Sequence, residues 1–170
     1  MKIKHLLTII AFSIFSITAN AQSKIGTVNV NQVLTQLPEI ADVEKALKSY
    51  TDELDATLKQ KVDTYNTKLE LFKENANTYS DVMKKTMGEE LYNLETDINK
   101  FKQNGATLTQ LKRDELLRPL YKKISDMIAI VAKEQQYSQI LTLDGNEFAY
   151  ADEKYDISKI VLSRLGVKNK

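Results

Sequence analysis

The sequence predicts a mostly helical α+β fold: a long antiparallel coiled-coil hairpin, an arm or tentacle, projecting from a small β-containing oligomerisation body. Three observations lead there. From Pro38 to about Gln136 the chain contains one internal proline, two isolated glycines and apolar residues three and four apart, too long a stretch for one globular helix. A short β-branched segment precedes it, and a segment with strand and turn signals follows it. Two long helices folded back on each other, rooted where the chain ends meet, satisfy all three.

The first residues read as an export signal. Lys2 and Lys4 supply positive charge, Leu6 to Ile17 form an apolar run, and Ala19-Asn20-Ala21 fits a small-x-small cleavage site, so residues 1–21 read as a leader cleaved after Ala21 and the mature chain as exported. The apolar run falls short of the ~20 residues that a membrane span needs. Lys24 to Val30 reads as a strand, with Ile25, Val28 and Val30 apolar. Asn31 then caps a short helical turn carrying Val33, Leu34 and Leu37, and Pro38 suits the first turn of the next helix, where its missing amide proton has no partner.

Along the first helix the apolar seam runs Ile40, Val43, Leu47, Tyr50, Leu54, Leu58, Val62, Tyr65, Leu69, Phe72, Ala76 and Tyr79. Two successive steps of four between Leu54 and Val62 predict a stutter where the supercoil unwinds. Helix-weak residues from Glu74 to Ser80, followed by Asp81, place the tip near 77–80 with Ser80 as N-cap. The returning helix carries Met83, Met87, Leu91, Leu94, Ile98, Phe101, Leu108 and Leu111. Pro38 and Pro119 lie about forty residues either side of the tip and mark the arm root, with Pro119 kinking the returning helix; at 1.5 Å per residue each arm helix spans roughly 60 Å.

Below the root, the wide stripe Leu116, Leu117, Leu120, Ile124, Met127, Ile128, Ile130 and Val131 predicts burial on several sides. Ser138 to Leu143 and Phe148 to Ala151 flank Asp144-Gly145-Asn146, the signature of a β-hairpin. Asp156 caps a last helix with Ile157, Ile160, Val161 and Leu165 on one side, and Gly166 stands where a C-cap glycine belongs. The domains are therefore the arm, 38–119, and a body built from 22–37 and 120–170.

Composition narrows function. Removing the leader takes Lys2 and Lys4 from the 24 basic residues and leaves all 23 acidic ones, turning the formal charge from +1 to −1. No basic face for nucleic acid is visible. The leader also holds the single histidine, His5, and the chain has no cysteine, so the usual general base, the thiol nucleophile and the commonest soft metal ligands are missing. The acids sit beside lysines on helical faces, as Glu89-Glu90 and Asp114-Glu115 do, and no glycine-rich phosphate loop exists. The expectation is a protein that is not an enzyme and uses no cofactor or metal.

A body of about 65 residues without disulfides has a marginal core, and two-helix arms are weaker still. The chain is therefore expected to be a homo-oligomer joined through the body residues Ile25, Val28, Val30, Ile140, Leu141, Leu143, Phe148 and Tyr150. The segments KIGTVNVNQVL at Lys24 to Leu34 and YSQILTLDGNEFAYADEKYDISKIVLSRL at Tyr137 to Leu165, flanking the charged hairpin, resemble the Skp/OmpH family of periplasmic chaperones over essentially the whole mature chain. The resemblance implies a homotrimer with three helical tentacles around a cavity. There unfolded outer-membrane proteins would be held without ATP, so that their apolar strands do not meet another chain.

The chain departs from the strongly basic members of that family. Its arm from Thr51 to Glu115 carries ten basic and thirteen acidic residues, so no lipopolysaccharide site is carried over. Leu71, Tyr79, Met83, Met87 and Tyr92, at the edge of the seam, are the candidates for client contact, against the alternative that they complete the hairpin's packing. Gly88 and Gly105 read as flex points or as tolerated glycines. Lys84-Lys85 reads as a solvated face or as a peripheral membrane contact at the tip. The rival function is an envelope spacer or adaptor whose coiled coil binds one folded partner.

Overall fold

The structure is a computed structural model that describes residues 23–146 and 148–167. The leader and its cleavage site lie outside the described residues. The order of elements is β1 (Ile25–Val28), α1 (Val30–Gln36), α2 (Ile40–Asn75), α3 (Asp81–Glu134), β2 (Gln139–Thr142), a 3₁₀ turn (Glu153–Tyr155) and α4 (Ser158–Arg164). The long helices α2 and α3 pack against each other as the hairpin, and β1 and β2 form a two-stranded sheet at its base. The predicted fold class stands.

The arm follows its seam. In α2 the inward positions from Ile40 to Phe72 are half-buried and none is fully buried, while α3 buries Leu91 and Ile98 within the arm. A two-helix hairpin covers one stripe per helix, and this arm leaves part of that stripe wet. Ala76 to Tyr79 make the turn, Phe72 and Tyr79 meet with ring centroids 6.4 Å apart, and Ser80 Oγ accepts the Met83 amide at 3.2 Å. The 36 residues of α2 correspond to about 54 Å of helix, so the tip stands far from the base.

The core lies where the chain ends meet. Val28, Val33, Leu34, Leu37, Leu117, Leu120, Ile124, Val131, Ile157, Val161 and Leu162 form one buried cluster, with Ile40, Val43 and Ile140 packed against it. Residues from both chain ends are needed to fill it. β1 pairs with β2 in parallel, Gly26 opposite Ile140 and Thr27 opposite Leu141, and the Ile157 amide bonds the Thr27 carbonyl on the other side of β1 at 2.9 Å.

Several local expectations are corrected. The hairpin between 138–143 and 148–151 does not form: β2 takes β1 as its partner, and 148–151 is not a strand. The turn chemistry itself is present, with Gly145 at φ +71°, but the strand that satisfies β2 comes from the other end of the chain. β1 is shorter than 24–30, and Val30 opens α1 instead of closing the strand, because Asn29 rather than Asn31 is the cap: its Oδ1 accepts the Gln32 amide at 2.7 Å.

Pro38 lies in the turn ahead of α2, not in its first turn, which begins after Glu39. α3 runs on through Pro119 to Glu134. Both Pro119 and Glu115, whose carbonyl loses its helical donor, are exposed, so water can take the freed acceptor. Leu111 is not in the seam: it is 60% exposed, because the inward positions step through Gly105, Thr109 and Lys112. Asp156 acts one residue before the cap position, its Oδ1 accepting both the amide and the hydroxyl of Ser158 at 2.8 and 2.5 Å.

The C-termini of the two later helices share one device. Gly166 (φ +84°) donates to Ser163 O and Val167 to Leu162 O, the paired bonds of a Schellman end. α3 ends the same way on Gln136, a non-glycine residue at φ +58°, with bonds from Gln136 to Lys133 O and from Tyr137 to Ala132 O.

Candidate functional site

The candidate functional surfaces among the described residues are the arm and the open face of the body. The arm is built by two helices whose register is marked by ion pairs across the seam. Lys61 meets Asp97 at 2.5 Å, Lys68 meets Glu90, and at the root Lys123 meets Glu39. The Lys123 hydrogen bond is the main reason that the Glu39 carboxyl sits below its ordinary value of 4.5. The second oxygen of Glu39, Oε2, is buried without a partner. Pairs as exposed as these contribute about 0–1 kcal/mol each, so they set alignment more than stability. The Lys61 and Lys112 ammonium groups also lie 5.6 and 5.9 Å from the Phe101 and Tyr50 ring centroids, extending their stems over the seam.

The residues singled out on the arm separate into two groups. Leu71, Met83 and Tyr92 are exposed, Tyr92 at 69%, and are free to touch another molecule. Tyr79 and Met87 are half-buried, with Tyr79 against Phe72, and serve the hairpin. Sequence reasoning missed the most exposed large apolar residue of the arm, Val82, at 77%. The signal was available: Val82 follows Asp81 in the first turn of α3 and lies nine residues before Leu91, which puts it on the opposite side of the helix from the seam.

The body residues also divide. Val28 is buried in the chain's own core, Val30 and Ile140 pack against that core, and Leu143 is half-buried. Ile25, Leu141, Phe148 and Tyr150 are exposed, Tyr150 at 81%. Ile25 and Leu141 belong to the outward positions of the sheet, which alternate with Gly26 and Ile140 on the core side. Beyond β2 the sheet has no further strand among the described residues, so one edge of β2 is unpaired by this chain.

The two chain ends are tied by polar contacts. Asp144 Oδ2 accepts the amides of Val30 and Asn31 at 2.5 and 3.1 Å, and the Asn29 amide donates to Ser158 Oγ at 2.8 Å. Lys24 Nζ caps the end of α3 by donating to Gln135 O at 2.9 Å while lying 4.0 Å from the Tyr137 ring centroid. Among the described residues no group of three or more carboxylates or histidines is arranged to hold a metal, and no helix is long and apolar enough to cross a membrane.

Comparison with known proteins agrees with this architecture. Residues 24–165 match the family described as outer membrane protein (OmpH-like). Among solved structures, the chain is similar to a candidate outer membrane chaperone (OmpH-like) from Caulobacter crescentus CB15, with a TM-score of 0.65 and 14% identity over 86% of each chain. At that identity the likeness shows the fold. No curated protein matches the sequence.

Proposed function

This chain belongs to the outer membrane protein (OmpH-like) family, and from that premise we propose that it is an ATP-independent periplasmic holdase, exported with cleavage after Ala21. Copies joined through their bodies as a homotrimer hold unfolded outer-membrane proteins between the arms and keep them from aggregating. The observation that carries the reading is the arm itself: about 54 Å of paired helix whose seam is half-covered and whose tip leaves Leu71, Val82 and Met83 exposed. An unfolded β-barrel precursor offers alternating apolar strands, and many weak contacts along two-helix rods can occupy them without selecting one sequence.

The body supports self-association. Ile25, Leu141, Phe148 and Tyr150 are exposed beside the unpaired edge of β2, an arrangement that a lone soluble chain leaves at risk of edge pairing. The copy number of three comes from the family resemblance.

The test mixes the mature protein with a urea-unfolded outer-membrane protein on dilution and follows light scattering. Suppression at stoichiometric ratios without ATP is the expected result; unchanged scattering sinks the reading. Mass in solution measured alongside should give three copies, with one client-bound species.

A further inference from the structure

The proposed holding role leaves open what kind of contact captures the client, and the charge and exposure of the arm bear on that. Between Lys68 and Glu90, the outer third of the arm, four lysines face five carboxylates. One of those lysines is already engaged across the seam by Glu90, and Lys61 below it by Asp97. The tip thus presents no net positive field to a chain in solution. What it does present is apolar: Val82 at 77%, Met83 and Leu71 at 47% each, and Tyr92 three turns further along α3.

Resting on the holdase reading, we infer that capture is made by apolar contact at the outer third of the arm, and that it is indifferent to ionic strength and to the client's net charge. The occupant is an unfolded chain presenting aliphatic and aromatic side chains. Met83 and Tyr92 suit such a partner because a flexible thioether and an amphipathic ring adapt to varied surfaces. Steering by opposite charge accelerates association 10- to 10³-fold and collapses as salt rises, and a tip with balanced charge has no such term to lose. The client class is therefore set by exposed apolar strands, acidic and basic precursors alike.

The experiment measures the dissociation constant of the full-length mature protein for one acidic and one basic urea-unfolded outer-membrane protein at about 20 mM and 500 mM NaCl, a range that shortens the screening length several-fold. Four proteins are compared: the unaltered chain, Val82→Ser with Met83→Ser, Tyr92→Ser, and Lys84→Gln with Lys85→Gln, each checked for helicity. The expected result is a change below about threefold with salt for both clients, with binding weakened about tenfold by the paired serines, less by Tyr92→Ser, and left within twofold by the lysine variant. If the unaltered chain binds but loses tenfold or more in salt, or binds only one of the two clients, the inference is overturned while the holdase reading stands. If the serine pair leaves client binding untouched and instead abolishes flotation with phosphatidylglycerol vesicles, the tip is a lipid contact and the inference fails. If the unaltered chain neither binds nor suppresses scattering, the holdase reading falls and takes this one with it.

Discussion

The Asp144 carboxylate holds the Val30 amide at 2.5 Å, so a side chain from the turn after β2 caps a helix that begins 114 residues earlier. The same oxygen accepts Asn31, and together these satisfy two of the four amides that the start of α1 leaves open. Asp144→Ala removes both acceptors. The expected cost is about 1–2 kcal/mol, read as a lower urea midpoint with an unchanged slope. An unaltered midpoint shows that water replaces the carboxylate at no loss.

Gly26 is required by space. A Cβ built there stands 2.8 Å from both Ile140 Cδ1 and Tyr137 Cε1. The Ile140 end can swing, but the Tyr137 ring is held beneath Lys24. Gly26→Ala is expected to destabilise the body by about 1–3 kcal/mol, and Tyr137→Leu in the same chain should recover part of it. Equal denaturation curves for Gly26→Ala and the unaltered chain refute the packing argument.

Gln136 carries strain. A left-handed conformation costs an L-residue with a Cβ about 1–2 kcal/mol, and the Schellman end of α3 demands it here. Gln136→Gly should therefore stabilise the protein, with glycine's larger unfolded entropy offsetting part of the gain and leaving about 0.5–1 kcal/mol. Thermal denaturation of the two proteins measures it, and a drop in Tm contradicts the account.

The Glu39–Lys123 pair at the arm root gives a pH dependence of known sign. The Glu39 carboxyl is held below 4.5 in the folded chain, so its contribution is fully present above the unfolded value and fades as pH falls through the folded one. With the two side chains 38% and 43% exposed, solvent screening keeps that contribution under about 1 kcal/mol. Glu39→Gln should be slightly less stable than the unaltered chain at pH 7, and the two should converge once pH falls below the lowered folded value of the Glu39 carboxyl. A gap that widens in acid has the wrong sign for this pair.

The arm was legible because its information is local. Heptad spacing from Ile40 to Phe72 fixes which side of α2 turns inward, and Ser80-Asp81 announces where α3 starts, both within a few residues of the structure they dictate. The pairing of β2 was not. Asp144-Gly145 does make a turn, but nothing near Gln139 reports that Ile25–Val28 will occupy the strand position beside it. Pro119 costs α3 one backbone bond, and the helix runs on past it with Leu117, Leu120 and Ile124 buried on both sides. Of the candidate contact residues, Leu71, Met83 and Tyr92 lie in the open, whereas Tyr79 and Met87 are taken up by the tip and seam, because single-helix periodicity cannot say how closely a partner helix approaches.

The parallel pairing of β1 with β2 also constrains the order in which the protein can be made. The strand that leaves the ribosome first must wait for residues 139–142 and then for Ile157 before its backbone is satisfied on both sides. A flexible loop of that length is slow to close, but a hairpin that zips from its own turn carries its two ends side by side and shortens the effective search. The tentacle is thus its own folding jig. Cutting it short by equal lengths from both helices should leave the base able to assemble, whereas lengthening one helix alone would strand β1 away from its mate.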